Sequence, residues 1–189
     1  MTLPIRELSR FEHPALERHF LALGSEDRRL RFGAGLGNAA ILAYVKGIDF
    51  GRDAVFAELD DDMHIVGAAH LARGHGHAEL GVSVLPGHRD RGVGGALLRR
   101  AHMHARNWGV RELFMHCLTE NSAMMHLARK QGMDIATGSG EADAWLKLQP
   151  ADASSHRSAA LEQRVALLDH ALKGRLAGGR HVARTPAAG

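Results

Sequence analysis

The chain has 189 residues, of which 45% are hydrophobic and 24% are charged, values typical of one globular domain rather than of a disordered or membrane protein. The formal net charge is +3, and this surplus lies in residues 150–189, because residues 1–149 contain 18 basic and 18 acidic side chains. A neutral body with a weakly basic tail argues against a nucleic-acid partner.

The first residues are polar and charged, and no apolar run approaches the roughly 20 residues that span a bilayer. We therefore expect a cytoplasmic protein without a membrane partner. Cys117 is the one cysteine and cannot form an internal disulfide. Because it lies in an apolar run, we expect its thiol to be buried as a small hydrophobic group.

Strand-like and helix-like patterns alternate along residues 3–148, which predicts an α+β domain around one sheet. Apolar alternation and turn residues predict strands over residues 3–8, 53–59, 63–72, 78–85, 112–118, 133–136 and 142–148. Helical spacing predicts helices that start near Pro14, near Ser25, at Asn38 as an N-cap, at Val93 and at Asn121 as an N-cap.

The composition of the sequence changes at Pro150, where a polar stretch begins, so we predict one domain over residues 1–149 and an appendage over residues 150–189. Residues 151–155 are typical of a linker. Residues 158–175 predict an amphipathic helix with Leu161, Val165, Leu168 and Leu172 on one face. We expect this helix to dock either on the domain or on a second subunit of a homodimer, and the last residues to be disordered.

Residues 83–95 join a predicted strand to a glycine-rich turn and then to a helix, a geometry that binds phosphate. Backbone N–H groups converge on an anion there, and the helix dipole adds to the field. Gly92, Gly94 and Gly95 leave those amides open, and Arg89 and Arg91 can add charge-assisted contacts. A glycine pattern alone also fits an ordinary turn, and the P-loop and Rossmann fingerprints are both missing.

The spacing of Arg89, Gly92 and Gly94 resembles the acetyl-CoA signature of GNAT acetyltransferases, in which Arg is followed three and five residues on by Gly. Residues 121–133 resemble the family's next motif, an Asn-started helix that ends in Lys-x-Gly, here followed by Met133 instead of Phe. The two motifs have the family's order, and the resemblance covers residues 3–148. It implies a mixed central sheet of about six to seven strands flanked by helices.

The resemblance also implies an enzyme that moves the acetyl group of acetyl-CoA to an amine. Residues 23–32, 78–80 and the Asn-x-x-Met helix are most similar to the Pat-type protein lysine acetyltransferases, which favours a protein lysine as the acceptor. A small-molecule amine is the alternative acceptor. A non-catalytic acetyl-CoA sensor is the alternative from another functional class.

Glu79 is the catalytic base that the resemblance implies. A base is needed because only about one lysine amine in a thousand is uncharged at neutral pH. Strand alternation places Glu79 on the other face of the strand from Leu80 and Val82, although a surface glutamate would show the same pattern. The residues expected to bind the co-substrate are Val82, Val84, Arg89, Arg91, Gly92, Val93, Gly94, Gly95 and Asn121.

The sequence departs from the family pattern at two positions. Asp90 replaces the usual Gly; it tolerates left-handed backbone but brings a negative charge near the phosphates. Ala128 replaces a Tyr that protonates the leaving thiolate in many members, and Tyr44, the one tyrosine, lies outside the motif. No metal site is expected, because His75 and His77 lie in a glycine-rich turn without further ligands.

Overall fold

This computed structural model describes residues 3–183, and the side chains of residues 3–177. It contains a seven-stranded sheet with helices on both faces, which confirms the predicted α+β class. The strands are β1 (Arg6–Glu7), β2 (Ala54–Leu59), β3 (Ile65–Arg73), β4 (His77–Val84), β5 (Glu112–Leu118), β6 (Asp134–Gly138) and β7 (Glu141–Lys147). The helices are α1 (His13–Leu21), α2 (Ser25–Phe32), α3 (Asn38–Lys46), α4 (Val93–Asn107), α5 (Ser122–Lys130) and α6 (Ala153–Ala183).

The strand order is β1-β2-β3-β4-β5-β7-β6, with β4 and β5 parallel and every other neighbouring pair antiparallel. A mixed sheet of this kind needs cover on both faces. One core lies between the sheet and α4, around Phe56, Leu71 and Leu97. The other lies between the opposite face and α1 and α3, around Phe20 and Ile41.

Strands β4 and β5 separate along their length. Their pairing covers only His77–Glu79 against Glu112–Phe114, whereas β4 continues to pair with β3 as far as Val84. From that point β5 pairs with β7 alone. The sheet therefore opens between β4 and β5, next to the turn that leads into α4.

The first turn of α4 packs closely on β3 because position 67 is glycine. A Cβ atom on Gly67 would lie 2.5 Å from Cγ1 of Val93, closer than packed carbon atoms approach. Leu97 lies 3.1 Å from the same point and is fully buried. This contact fixes the N-terminus of α4 against the sheet, beside the opening.

The predicted linker over residues 151–155 is wrong, because α6 begins at Ala153. Asp152 caps the helix: its Oδ1 accepts from the backbone N–H of Ser155 at 2.6 Å, and Ser155 Oγ accepts from the backbone N–H of Asp152. Ser155 is buried and its hydroxyl donates to Oδ1 of Asn107. Residues 184–189, which carry the end of the predicted disordered tail, lie outside the described residues.

Two further sequence predictions have clear outcomes. Asn38 is not the N-cap of α3: Gly37 holds that position, and Asn38 Oδ1 accepts from Nη1 of Arg28 at 2.8 Å. Cys117 is buried as predicted, and burial raises the pKa of its thiol. Over the described part of the chain, no helix combines the length and the apolar character needed to cross a bilayer.

Candidate active site

A groove of about 800 Å³ runs from the opening between β4 and β5 along the first turn of α4. Elements α2 and α5 form its walls. Every residue predicted to bind the co-substrate lines this groove except Arg91, and Glu79 lies outside it. Residues that sequence reasoning missed also line it: Leu23, Asp27, Leu30, Arg31, Ser83, His88, Arg99, Ser122, Ala123, Met124, His126, Leu127, Lys130 and Gln131.

The turn before α4 presents free backbone N–H groups to the groove. Gly92 is the N-cap with a φ of 80°, and no side chain caps the helix there. The N–H groups of Val93, Gly94 and Gly95 belong to the first turn, so they have no partner within the helix. Asp90 has a φ of 59°, which confirms the left-handed backbone expected where the family has Gly. An anion in the groove would meet several donors at once.

The free edge of β4 adds backbone groups to the same groove. The N–H of Leu85 donates to Val66 on the β3 side, at 2.9 Å, and hydrogen bonding alternates along an antiparallel pair. The N–H and C=O groups of Val82 and Val84 therefore point toward β5, which has separated by that position. Consistent with this direction, the C=O of Val84 accepts from Nε of Arg89 at 3.1 Å.

Positive side chains surround the amide turn. Arg89 pairs with Asp27 of α2 at 2.7 Å, and this bond joins α2 to the turn. Arg99 and Lys130 line the groove from α4 and α5 and form no ion pair among the described residues. The electrostatics of the groove therefore favour a polyanionic ligand, although Asp90 contributes one opposing charge.

Asn121 lies at the opposite wall, and its side chain connects α5 with α2. Its Oδ1 accepts from the backbone N–H of Met124 at 3.1 Å, which confirms the predicted N-cap of α5. Its Nδ2 donates to the C=O of Leu30 at 3.2 Å, so it also ties α5 to α2. In the first turn of α5, the N–H of Ser122 donates to the C=O of Glu120 and that of Met124 to Asn121, which leaves the N–H of Ala123, a residue of the groove lining, for a ligand.

Glu79 is an exposed residue at the last paired position of β4, opposite Phe114 of β5. The next residue on that face of β5 is His116, whose Nδ1 lies 2.7 Å from Oδ1 of Asp143 on β7. The Phe114 ring lies 5.7 Å from the ring of Trp145. We call the surface formed by these five residues the acceptor face.

A partly buried chain of hydrogen bonds begins at the groove and runs into the sheet. Nη2 of Arg31 donates to the Tyr44 hydroxyl at 3.0 Å, and that hydroxyl donates to Nδ1 of His70 at 2.7 Å. Nε2–H of His70 donates a hydrogen bond to Oδ2 of Asp53 at 3.2 Å. Burial lowers the pKa of His70, the hydrogen bond to Asp53 opposes this shift, and the charge of Arg31 adds to it.

Sequence reasoning missed this chain because its members are 13, 26 and 17 residues apart and share no motif. The one local signal is the single tyrosine, Tyr44, which lies outside the glycine-turn and Asn-helix motifs. Within the described residues, no three His, Cys, Asp or Glu side chains form a group that could hold a metal ion.

The comparisons with known proteins agree with this geometry. The family model described as acetyltransferase (GNAT) family matches residues 16–133, which is more than half of the chain. No curated protein matches the chain. Among solved structures, the GNAT domain of S. lividans PAT has a TM-score of 0.66 and 20% identity, and the match covers 78% of this chain and 95% of that one.

Two further solved structures have the same fold at low identity. A phosphinothricin acetyltransferase from Sinorhizobium meliloti in complex with AcCoA has a TM-score of 0.63 and 16% identity, over 81% of this chain and 95% of that one. The ribosomal-protein-S18-alanine N-acetyltransferase from Escherichia coli has a TM-score of 0.60 and 19% identity, over 79% and 96%. The chain belongs to the acetyltransferase (GNAT) family and is an N-acetyltransferase with acetyl-CoA as its co-substrate.

Proposed function

We propose that this enzyme acetylates lysine side chains of proteins and that Glu79 is its general base. The observation that carries the proposal is the composition of the acceptor face. Glu79 and Asp143 supply negative charge there, and Phe114 and Trp145 supply aromatic surface beside the opening of the sheet. A lysine side chain, a cation on an apolar stem, matches that combination. The resemblance to Pat-type enzymes supports the same acceptor.

The groove is the proposed site of acetyl-CoA. The groove suits acetyl-CoA because it offers unpaired backbone donors as well as sufficient volume. The amides of Val93, Gly94 and Gly95 have no partner within the helix and can donate to a diphosphate. Arg89, Arg91 and Gly92 complete the turn that we assign to the phosphates. The free edge at Val82 and Val84 suits the amide-containing pantetheine arm, which would replace the missing hydrogen bonds to β5.

Glu79 would remove the proton that blocks the reaction. A lysine amine with its ordinary pKa of about 10.4 is almost fully protonated at neutral pH, and only the neutral amine attacks an acyl carbon. Glu79 lies where the acceptor face meets the opening between β4 and β5. The carboxylate can take the proton directly or through one water molecule. Acetyl-CoA supplies the activated acyl group in this chemistry.

The chain also offers groups for the charges that develop during acetyl transfer. Backbone N–H groups on the free edge of β4 can donate to the acyl oxygen as it gains negative charge. The first turn of α5, capped by Asn121, presents the positive end of a helix to a departing thiolate. Ala128 occupies the position of the family's tyrosine acid and is buried, so it has no part in this step.

The test is acetyl transfer to matched acceptors. The purified enzyme is incubated with radiolabelled acetyl-CoA and a peptide that has a blocked N-terminus and one lysine. The controls are the same peptide with Arg in place of Lys, a peptide with a free N-terminal Ala and no Lys, and a panel of small amines. We expect label in the lysine peptide at a kcat/KM at least tenfold above that of the other acceptors. Label mainly in the small amines or in the N-terminal amine would overturn the choice of acceptor.

A further inference from the structure

The apolar face predicted for the C-terminal helix is exposed in the structure. Leu161, Val165, Leu168 and Leu172 are between 49% and 66% exposed, and Leu176 is 66% exposed. They form one continuous row along α6. A row of large apolar side chains in water is costly, and on a folded protein it marks a contact surface.

Helix α6 uses a different face to dock on its own domain. Ala166 is buried, Gln163 accepts from Nη2 of Arg100 at 3.1 Å, and Nζ of Lys173 donates to the C=O of Leu59 at 2.7 Å. These residues are three and seven positions apart, a spacing that places them on one side of a helix. Because the domain occupies this side, the apolar row points away from it and is open to a second protein.

The spacing of the apolar row is that of a coiled coil. Successive intervals are four, three and four residues, which places Leu161 and Leu168 at heptad position d and Val165 and Leu172 at position a. One a position holds the β-branched Val165 and the other holds Leu172, with Leu at both d positions; a β-branched residue at a with Leu at d favours two parallel strands. The pattern therefore fits one partner helix of the same kind.

The flanking charges specify the direction of that partner. Arg157 and Arg164 occupy position g, and Glu162 and Asp169 occupy position e. In a parallel pair, position g faces position e of the other helix five residues further on. Arg157 would then face Glu162 of the partner subunit, and Arg164 would face Asp169 of the partner subunit. An antiparallel pair would bring arginines to arginines and acids to acids.

These flanking groups are largely free to make such pairs. Arg157, Glu162 and Arg164 are exposed and form no ion pair within the part of the chain whose side chains are described. Asp169 already lies 2.9 Å from Nζ of Lys173, a bond that leaves its second oxygen available. No residue of α6 lines the groove, so an α6 contact leaves the active site accessible.

We propose that α6 forms a parallel two-stranded coiled coil with α6 of a second copy of this chain. The seam is Leu161, Val165, Leu168 and Leu172. This inference does not rest on the proposed acceptor, because a dimer of this kind is compatible with any amine substrate.

The first experiment measures the mass of the full chain in solution by light scattering and by analytical ultracentrifugation. We expect twice the 20.4 kDa chain mass at micromolar concentration. Leu168→Glu places a charge in the seam and should weaken dimerisation at least tenfold. Leu42→Glu is the matched control, since Leu42 is an exposed leucine on α3, and it should leave the mass unchanged. A monomeric parent chain, or a dimer that Leu168→Glu leaves intact, would overturn the proposal.

The second experiment tests the direction of the helices. Leu161→Cys should form an intermolecular disulfide on mild oxidation, because a d residue faces its own copy only in a parallel pair. Cys117 is buried and should not compete. Arg157→Glu should weaken the dimer, and adding Glu162→Arg should restore it. A dimer strengthened by Arg157→Glu, or one that does not cross-link at position 161, would contradict the parallel arrangement. Unchanged binding of acetyl-CoA shows that each variant is folded.

Discussion

The guanidinium group of Arg31 lies against the backbone of Gly81, so closely that any Cβ atom at position 81 would overlap it. This contact places an arginine of α2 over β4, just beyond the point where β4 leaves β5. Arg31 has no carboxylate within 4 Å among the described residues, and its Nε is buried without a partner. Its charge therefore acts on the groove rather than being neutralised beside it.

Gly81→Ala should displace Arg31 and weaken the binding of acetyl-CoA. The added methyl group would push the guanidinium away from β4 and break its 3.0 Å bond to Tyr44. Because the groove is open to solvent, one charge contact there contributes at most about 1 kcal/mol, so we expect KM for acetyl-CoA to rise roughly twofold to fivefold. Steady-state kinetics measures this. Gly138→Ala is the control because nothing lies near its Cβ position. An unchanged KM in Gly81→Ala would show that Arg31 does not act on the groove.

Glu79→Gln should lower kcat while leaving KM for acetyl-CoA unchanged. Glutamine keeps the size of the side chain but cannot accept the proton of the ammonium group, and general-base catalysis contributes about 10²–10⁴-fold. The defect should shrink as the pH rises toward the pKa of the acceptor amine, because solvent then removes the proton. The measurement is kcat between pH 7 and 10.

The matched control for Glu79→Gln is Glu112→Gln, a glutamate of the neighbouring strand that pairs with His77 and does not line the groove. Its kcat should equal that of the parent enzyme. A Glu79→Gln enzyme with full kcat at pH 7 would remove Glu79 from the mechanism.

We expect Asp90 to limit both the stability of the fold and the affinity for coenzyme A. Its φ of 59° strains a residue other than glycine, and its carboxylate lines the groove proposed for the phosphates. Asp90→Asn removes the charge and keeps the tolerance of left-handed backbone, so it should tighten coenzyme A binding without changing stability. Asp90→Gly should tighten binding equally and also change the free energy of unfolding by up to about 1 kcal/mol in favour of the folded state.

Calorimetry with coenzyme A and urea unfolding separate the two effects of Asp90. We expect the dissociation constant to fall about twofold to fivefold in both variants, in line with one screened charge contact. The gain should decrease in high salt because the interaction is electrostatic. Weaker binding by Asp90→Asn would mean that the carboxylate helps to hold the ligand.

The sequence predicted the features whose causes are local. The glycine turn at Gly92, the cap at Asn121 and the alternation around Leu80 each depend on neighbouring residues, and the structure has all three. The predicted N-cap at Asn38 is wrong for a non-local reason, because the Asn38 side chain accepts a hydrogen bond from Arg28 of another helix instead of from the backbone of α3.

Contacts between distant segments were not predictable from the sequence. Arg31 meets Gly81 only because the sheet register and the path of α2 bring them together. The apolar row of α6 was predicted, but its exposure depends on Ala166 and Ser155 forming the docked face, and small residues give a weak hydrophobic signal. Length and periodicity show that a helix is amphipathic; they do not show which face the domain covers.

His19 should make the folded state sensitive to acid. Its Nδ1–H donates to the C=O of Ile65 at 2.9 Å, and its Nε2 accepts from the Ser83 hydroxyl at 2.8 Å, so the buried ring is neutral. Burial lowers the pKa of His19 to about 4, whereas an exposed histidine in the unfolded chain titrates near 6.5. Between these values the unfolded chain binds the additional proton. The free energy of unfolding therefore falls as the pH drops from 6.5 to 4, by at most about 1.4 kcal/mol per pH unit for this group.

His19→Asn tests that contribution through the slope rather than through stability at one pH. The variant loses stability at pH 7 because Ser83 and Ile65 lose a well-placed partner. Its free energy of unfolding should nevertheless depend less steeply on pH between 6.5 and 4, since one of the titrating groups is gone. Other partly buried histidines remain and contribute to the residual slope, among them His104, whose pKa burial also lowers to about 4. Urea unfolding at half-unit pH steps measures both slopes, and parallel curves for the two proteins would show that His19 is not the group that titrates.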